Sequence, residues 1–353
     1  MAENENQAAK LLYIQSSPHI VRADDTASIM SRVIISLLPV TVWGIVIFGV
    51  SALLNVAVSV AAAVIGEALF RRITRQDIRI KDCSAAVTGL LLALVVPPST
   101  PLWMTALGAL FAVIVAKEFF GGLGANVFNP ALAGRAFLLM SFPAAMTTWL
   151  KPSGLSTSFY QFSGGNLVDG ATTATPLGII KEGGFSGFGA VESSLGASSY
   201  GEMLKDLFLG NRAGCIGETS ILLILAGGIF LLATKTIDWR APVGLIAAAF
   251  IASWALGLDP VFSVLSGGVV FGAVFMATDY TSAPVTEKGK LIFGAGAGLL
   301  IVLIRTFGNY PEGVTYGILI MNMATPFLNR ILHRKYGYIK PEKAAKVGKG
   351  VEK

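Results

Sequence analysis

Metal-binding side chains are scarce in this chain of 353 residues. It has two cysteines, Cys83 and Cys215, and two histidines, His19 and His333. The cysteines share no C-x-x-C spacing, so the sequence carries no iron–sulfur or zinc signature. The histidines lie near opposite ends, and a bis-histidine haem inside a helical bundle is not expected. A Walker loop, a Rossmann glycine pattern and a hydrolase triad are missing too. If this chain carries electrons, an organic cofactor must hold them. Charge is equally sparse: 14% of residues are Asp, Glu, Lys or Arg, against roughly a quarter in a soluble domain. The formal charge of +6 is no argument for nucleic acid, because the basic residues cluster beside apolar runs.

Those runs dominate. The chain is 54% hydrophobic, with a mean hydropathy of +0.68, and this predicts an all-α polytopic membrane protein. Residues 1–32 read as a polar cytoplasmic leader without a cleavable signal. Residues 33–70 are long enough for two helices of about 20 residues each, turning near Gly49 and Ser51. Further spans are expected near 84–96, 102–116 and 127–148, and then near 219–234, 241–257, 261–278, 290–306 and 313–332. That makes about ten transmembrane helices. Basic residues fall in the loops at Arg71–Lys81, Lys117, Lys235–Arg240 and Lys288–Lys290, whereas the loops near 50, 97–101, 258–260 and 307–312 have none. Both termini are therefore expected inside and residues 150–213 outside.

A short echo divides the spans. Asn126-Val127-Phe128-Asn129-Pro130-Ala131-Leu132 is matched by Asn322-Met323-Ala324-Thr325-Pro326-Phe327-Leu328. With five spans per half, the halves would be inverted relative to each other. The expected organisation is a leader (1–32), a first five-helix half (33–149), an external loop domain (150–213), a second half (214–332) and a cytoplasmic tail (333–353).

The external loop holds Asn166-Leu167-Val168-Asp169-Gly170-Ala171-Thr172-Thr173-Ala174-Thr175-Pro176-Leu177. Gly170 and Pro176 mark it as turn-rich. The order Asp-Gly-x-Thr-x-Ala-Thr resembles the flavinylation motif of the RnfD proteins of Rnf complexes and of the related NqrB proteins of sodium-pumping NADH:quinone reductases. Ser17-Pro18-His19-Ile20 in the leader resembles the same family. The resemblance implies that a flavin transferase joins FMN to Thr175 through a phosphodiester, and a carboxylate such as Asp169 can help align the donor. A hydroxyl among small neighbours suits such an attack on phosphate. A shorter reading, Asp-Gly-Ala-Thr, would place the attachment at Thr172.

Further positions stand out. Asn126 and Asn129 follow a glycine-rich turn at 121–124. They read equally as helix caps and, through the same resemblance, as contacts to a non-covalent riboflavin. Asp279, at the inner end of a span, is a boundary cap or an ion-translocation site. Glu67 reads as a boundary ion pair with Arg71. Arg135 and Arg305 would neutralise a flavin anion or snorkel to an interface. The resemblance implies a member of a complex linking ferredoxin and NAD chemistry to Na+ or H+ translocation in a bacterial or archaeal cytoplasmic membrane. Its partners would be the other Rnf subunits, RnfA, RnfB, RnfC, RnfE and above all the flavoprotein RnfG. An NqrB protein of a quinone reductase and a flavin-free inverted-repeat transporter are the alternatives.

Overall fold

The computed structural model describes residues 25–77, 80–150, 175–183, 187–195, 199–210, 212–308 and 312–332. Among them every regular element is a helix, and no strand occurs. Asp169 and Thr172, the leader motif and the tail lie outside the described residues.

Helix α1, Thr26–Phe48, begins where Asp25 accepts from the Thr26 N–H at 2.7 Å. It starts ahead of residue 33, because its first turns are polar and read as leader while the cap already fixes the helix. Gly49, at φ 70°, turns the chain directly into α2, Val50–Ile73. Ser51 lies within α2 rather than in the turn. Helix α3, Ser84–Val95, ends before Pro97-Pro98, as proline requires. Helix α4, Leu102–Leu110, continues as a π-helical turn over Phe111–Val115.

The fifth apolar run is interrupted. Helix α5 is Pro130–Ser141, and the short α6, Pro143–Met146, follows a break at Phe142. Pro143 has no N–H to continue α5. Helices α7 (Pro176–Gly183), α8 (Gly187–Leu195) and α9 (Tyr200–Leu209) occupy the long polar interval. Val191, Met203 and Leu207 form a small core there with Phe262. The Tyr200 hydroxyl donates to Asp259, and Lys181 Nζ donates to the Gly308 carbonyl. The interval thus packs on two of the loops that lack lysine and arginine.

Helices α10 (Ile221–Ala233) and α11 (Arg240–Ala255) follow. The next run is broken in the middle: α12 is Pro260–Leu265, α13 is Val269–Phe271, and a π-helical turn covers Gly272–Met276. Gly267, at φ 65°, sits at the break. Helices α14 (Glu287–Phe307) and α15 (Val314–Leu332) complete the bundle. A Cβ on Gly294 would lie 2.3 Å from the Ala241 carbonyl oxygen, and one on Gly298 2.3 Å from that of Leu245. Their absence lets α14 press backbone-close against α11, the small-residue packing of membrane helices.

Four helical stretches are long and apolar enough to cross a membrane: Thr26–Phe48, Val50–Ile73, Leu102–Phe120 and Glu287–Phe307. Residues such as Ile65, Ile229, Trp254 and Phe307 point outward from the bundle at 62–76% exposure. Outward apolar faces around a buried core containing Lys117, Arg135 and Arg305 suit a lipid solvent, since charge in hydrocarbon must turn inward. This is a multi-pass membrane protein.

Candidate functional site

Two polar sites are built into the bundle. The first is a cleft of about 70 Å³. Asn126, Asn129 and Asp279 line it together, with Ser84, Thr88 and Lys117. The sequence named the first three separately, and the fold brings them to one cavity.

Each is delivered by local geometry. Gly121, Gly122 and Gly124 have φ of 112°, 88° and 102°, values open to glycine at little cost, and they reverse the chain into α5. Asn129 caps α5: its Oδ1 accepts from the Ala131 and Leu132 N–H groups at 3.1 and 3.3 Å. Its Nδ2 donates to the Met276 carbonyl at 3.3 Å, joining α5 to the π-helical turn 147 residues away. Asn126 differs. Its Nδ2 donates to the Phe128 carbonyl at 2.9 Å, but its Oδ1 is buried without a partner among the described residues. Such an atom costs roughly 1–3 kcal/mol unless something donates to it. Of the two asparagines, Asn129 is a structural cap and Asn126 is the one with an acceptor to spare.

Asp279 follows the span, in a turn. Its Oδ2 accepts from the Thr281 and Ser282 hydroxyls at 3.1 and 2.8 Å. Burial pushes its carboxyl above the usual range, against the pull of those hydrogen bonds.

Behind one wall of the cleft lies a buried ionic cluster. Lys117 Nζ sits 2.6 Å from Glu67 Oε2 and 2.6 Å from Ser84 Oγ. Arg71 Nη2 donates to Glu118 Oε1 at 3.1 Å, and Arg71 Nε lies 3.7 Å from Glu67 Oε1. All four side chains are at most 5% exposed. Glu67 and Arg71 are paired as the sequence suggested, but inside the bundle rather than at its boundary.

The second site surrounds Thr175. Its hydroxyl accepts from the Gly178 N–H at 3.1 Å, capping α7. Thr175 is buried and shares a cavity of about 10 Å³ with Arg212, Glu218, Gly267 and Glu312. Arg135 pairs with Glu312 and lies 3.5 Å from Glu218. Arg212 donates to the Leu265 carbonyl at 2.6 Å, and Arg305 to those of Ser263 and Ser266 at 2.6 and 3.2 Å. These carbonyls are the ones freed by the break between α12 and α13. A broken helix in a membrane needs its backbone groups satisfied from within, and two guanidiniums do so. Arg135 and Arg305 therefore do not snorkel.

The two sites lie towards opposite ends of α15. Glu312 precedes its first turn, while Thr325 Oγ1 donates to the Ser282 carbonyl at 2.8 Å, beside Asp279. The intervening residues rise about 20 Å.

Residues 13–337 match the profile of the NQR2, RnfD, RnfE family. The chain belongs to that family. Its relatives include the D component of the proton-translocating ferredoxin:NAD(+) oxidoreductase complex of Clostridium ljungdahlii, 44% identical over 335 residues, covering 92% of this chain and 96% of the relative. The D component of the Na(+)-translocating complex of Acetobacterium woodii is 44% identical over 338 residues, covering 95% and 98%. That of the ion-translocating oxidoreductase complex of Alcanivorax borkumensis is 39% identical over 344 residues, covering 93% and 97%. The resemblance read from the sequence is thus upheld across nearly the whole chain.

Sequence reasoning missed Lys117 as a site residue, because it reads as one more inner-loop charge. It also missed Arg212, Glu218 and Glu312, whose only sequence signal is charge at the edge of apolar runs. In a chain of the NQR2, RnfD, RnfE family, that is where functional charge is worth seeking.

Proposed function

We propose that this chain is the flavin-carrying RnfD component of an ion-translocating ferredoxin:NAD(+) oxidoreductase complex in a cytoplasmic membrane. The end-to-end likeness to named D components carries the assignment. Partners are then the other Rnf subunits, RnfA, RnfB, RnfC, RnfE and the flavoprotein RnfG, with a flavin transferase acting during maturation. The remaining apolar runs, some short and broken, complete about ten spans in two inverted halves. In support, the leading asparagine of each echoed segment, Asn126 and Asn322, holds a buried amide atom without a partner among the described residues.

FMN on Thr175 suits what surrounds that hydroxyl. It lies at the N-terminal end of α7, where backbone N–H groups and the helix dipole favour a phosphate, and Arg212 lines the same cavity. Non-covalent riboflavin in the Asn126 cleft suits the unpartnered Oδ1 there. A bound flavin supplies one- and two-electron transfer chemistry. The chain's own residues do the rest. Thr175 anchors, Arg212 offsets phosphate charge, Asn126 orients a ring edge, and Asp279 stands where a cation or proton enters from the inner side.

In-gel fluorescence of the denatured chain tests the anchoring. Thr175→Asn keeps a competent cap for α7 but has no hydroxyl, so fluorescence should vanish while assembly persists. Loss in Thr172→Ala together with retention in Thr175→Asn would move the attachment to Thr172 and defeat this reading.

A further inference from the structure

Lys117 is 1% exposed, and an ammonium carries three N–H donors. Two are spent, on Glu67 Oε2 and Ser84 Oγ. Lys117 and Ser84 line the cleft; Glu67, Arg71 and Glu118 do not. Of the cluster's charged residues Lys117 is thus the cation that lines the cavity, with one N–H in reserve. On the same cavity Asn126 Oδ1 has no donor among the described residues. Asp279 is the carboxylate lining it, and Asp82 is held from behind by the Ser84 hydroxyl at 2.8 Å. A spare donor and a spare acceptor in one cavity call for a planar ligand with both along its edge, such as the alternating carbonyl and N–H groups of an isoalloxazine.

We propose that Lys117 is a positioning residue for this ligand, its third N–H donating to a ring acceptor and holding the negative charge the ring gains on reduction. This rests on the reading that the cleft holds a non-covalent flavin. A neutral ring that takes up two electrons and one proton carries one negative charge. The electrons come from the ferredoxin that the complex oxidises. A cation beside that charge, out of water, favours the reduced form and raises the reduction potential. Glu67 holds the ammonium in place from the far side, so that its charge is not left unpaired when the cavity is empty.

The test uses the purified complex in native form and with Lys117→Met combined with Glu67→Gln, which removes both charges and leaves no buried carboxylate alone. Acid extraction counts non-covalent flavin, and spectroelectrochemical titration gives its midpoint. The double variant should stabilise the reduced ring about tenfold less, a midpoint about 30 mV lower for a two-electron couple, with Thr175-linked flavin unchanged. Glu67→Gln alone, which keeps the ammonium, should not lower the midpoint. If the double variant matches native in flavin content and midpoint, the role of Lys117 is overturned while the flavin cleft stands. If the native complex releases no flavin to acid, the cleft reading itself fails, and this inference with it. The native complex gives a check that needs no variant. One proton per two electrons makes the midpoint fall by about 30 mV per pH unit in mildly acidic buffer; a fall twice as steep would mean a neutral reduced ring and would overturn the proposal.

Discussion

Arg135 pairs with Glu312, a residue 177 positions further along the chain. The contact joins α5 to the entry of α15, and Glu218 shares the same guanidinium at 3.5 Å. With the Arg135 and Glu218 side chains at 4–5% exposure and Glu312 at 12%, water cannot replace a lost partner.

Arg135→Met should therefore destabilise the protein by about 3–5 kcal/mol, the cost of leaving buried carboxylates uncompensated. Loss of assembled complex and a lower thermal midpoint would report it. Adding Glu312→Gln should recover part of the loss. A double variant as unstable as the single would show that packing, not charge, is at stake.

The two cleft asparagines should separate. Asn129→Ala removes a cap and a bridge to Met276, so stability should fall by about 0.5–2 kcal/mol from the cap alone. Asn126→Ala deletes an acceptor without a partner among the described residues, together with one local hydrogen bond to the Phe128 carbonyl. Its thermal midpoint should fall less than that of Asn129→Ala, while affinity for acid-extractable flavin drops by about one to two decades. Equal stability losses in both variants would count against this division.

Asp279 should show itself through pH. Its carboxyl is raised above the ordinary 3.8 by burial, so the folded state binds the proton more tightly than the unfolded one. The resulting cost is absent below 3.8, grows as pH rises towards the folded value, and is constant beyond it. Asp279→Asn should remove this slope in thermal midpoints measured from neutral pH down to about pH 4. In membrane vesicles the same variant should lower ion translocation with assembly intact. Native pumping with native cation dependence would return Asp279 to a capping role.

The sequence revealed the positions of most helices, because apolar runs of about 20 residues leave few alternatives in a bilayer. Gly49 as a turn, the halt before Pro97 and the glycine reversal at 121–124 follow from backbone chemistry that single residues announce. The breaks at Phe142 and at Ser266-Gly267 were not legible as breaks. An apolar run reads as continuous when the groups that mend it, Arg212 and Arg305, lie 53–55 and 39–42 residues away. For the same reason Asn126, Asn129 and Asp279 could each be suspected, but not their convergence. Lys117 was hidden because its partner Glu67 is 50 residues distant.

The π-helical turn at Phe111–Val115 makes the C-terminal end of this span sensitive to length as well as to composition. One extra residue is absorbed where Ala116 N–H reaches the Phe111 carbonyl at 3.2 Å, and everything after it is rotated relative to a regular helix. Deleting a single residue there would restore the ordinary winding and swing the next positions by about 100°. Lys117 would leave Glu67 and Ser84, although no charged residue had been changed. In an alignment of this segment, gaps rather than exchanges would then mark the loss of the cleft, and a tolerated one-residue deletion would identify a descendant that no longer uses it.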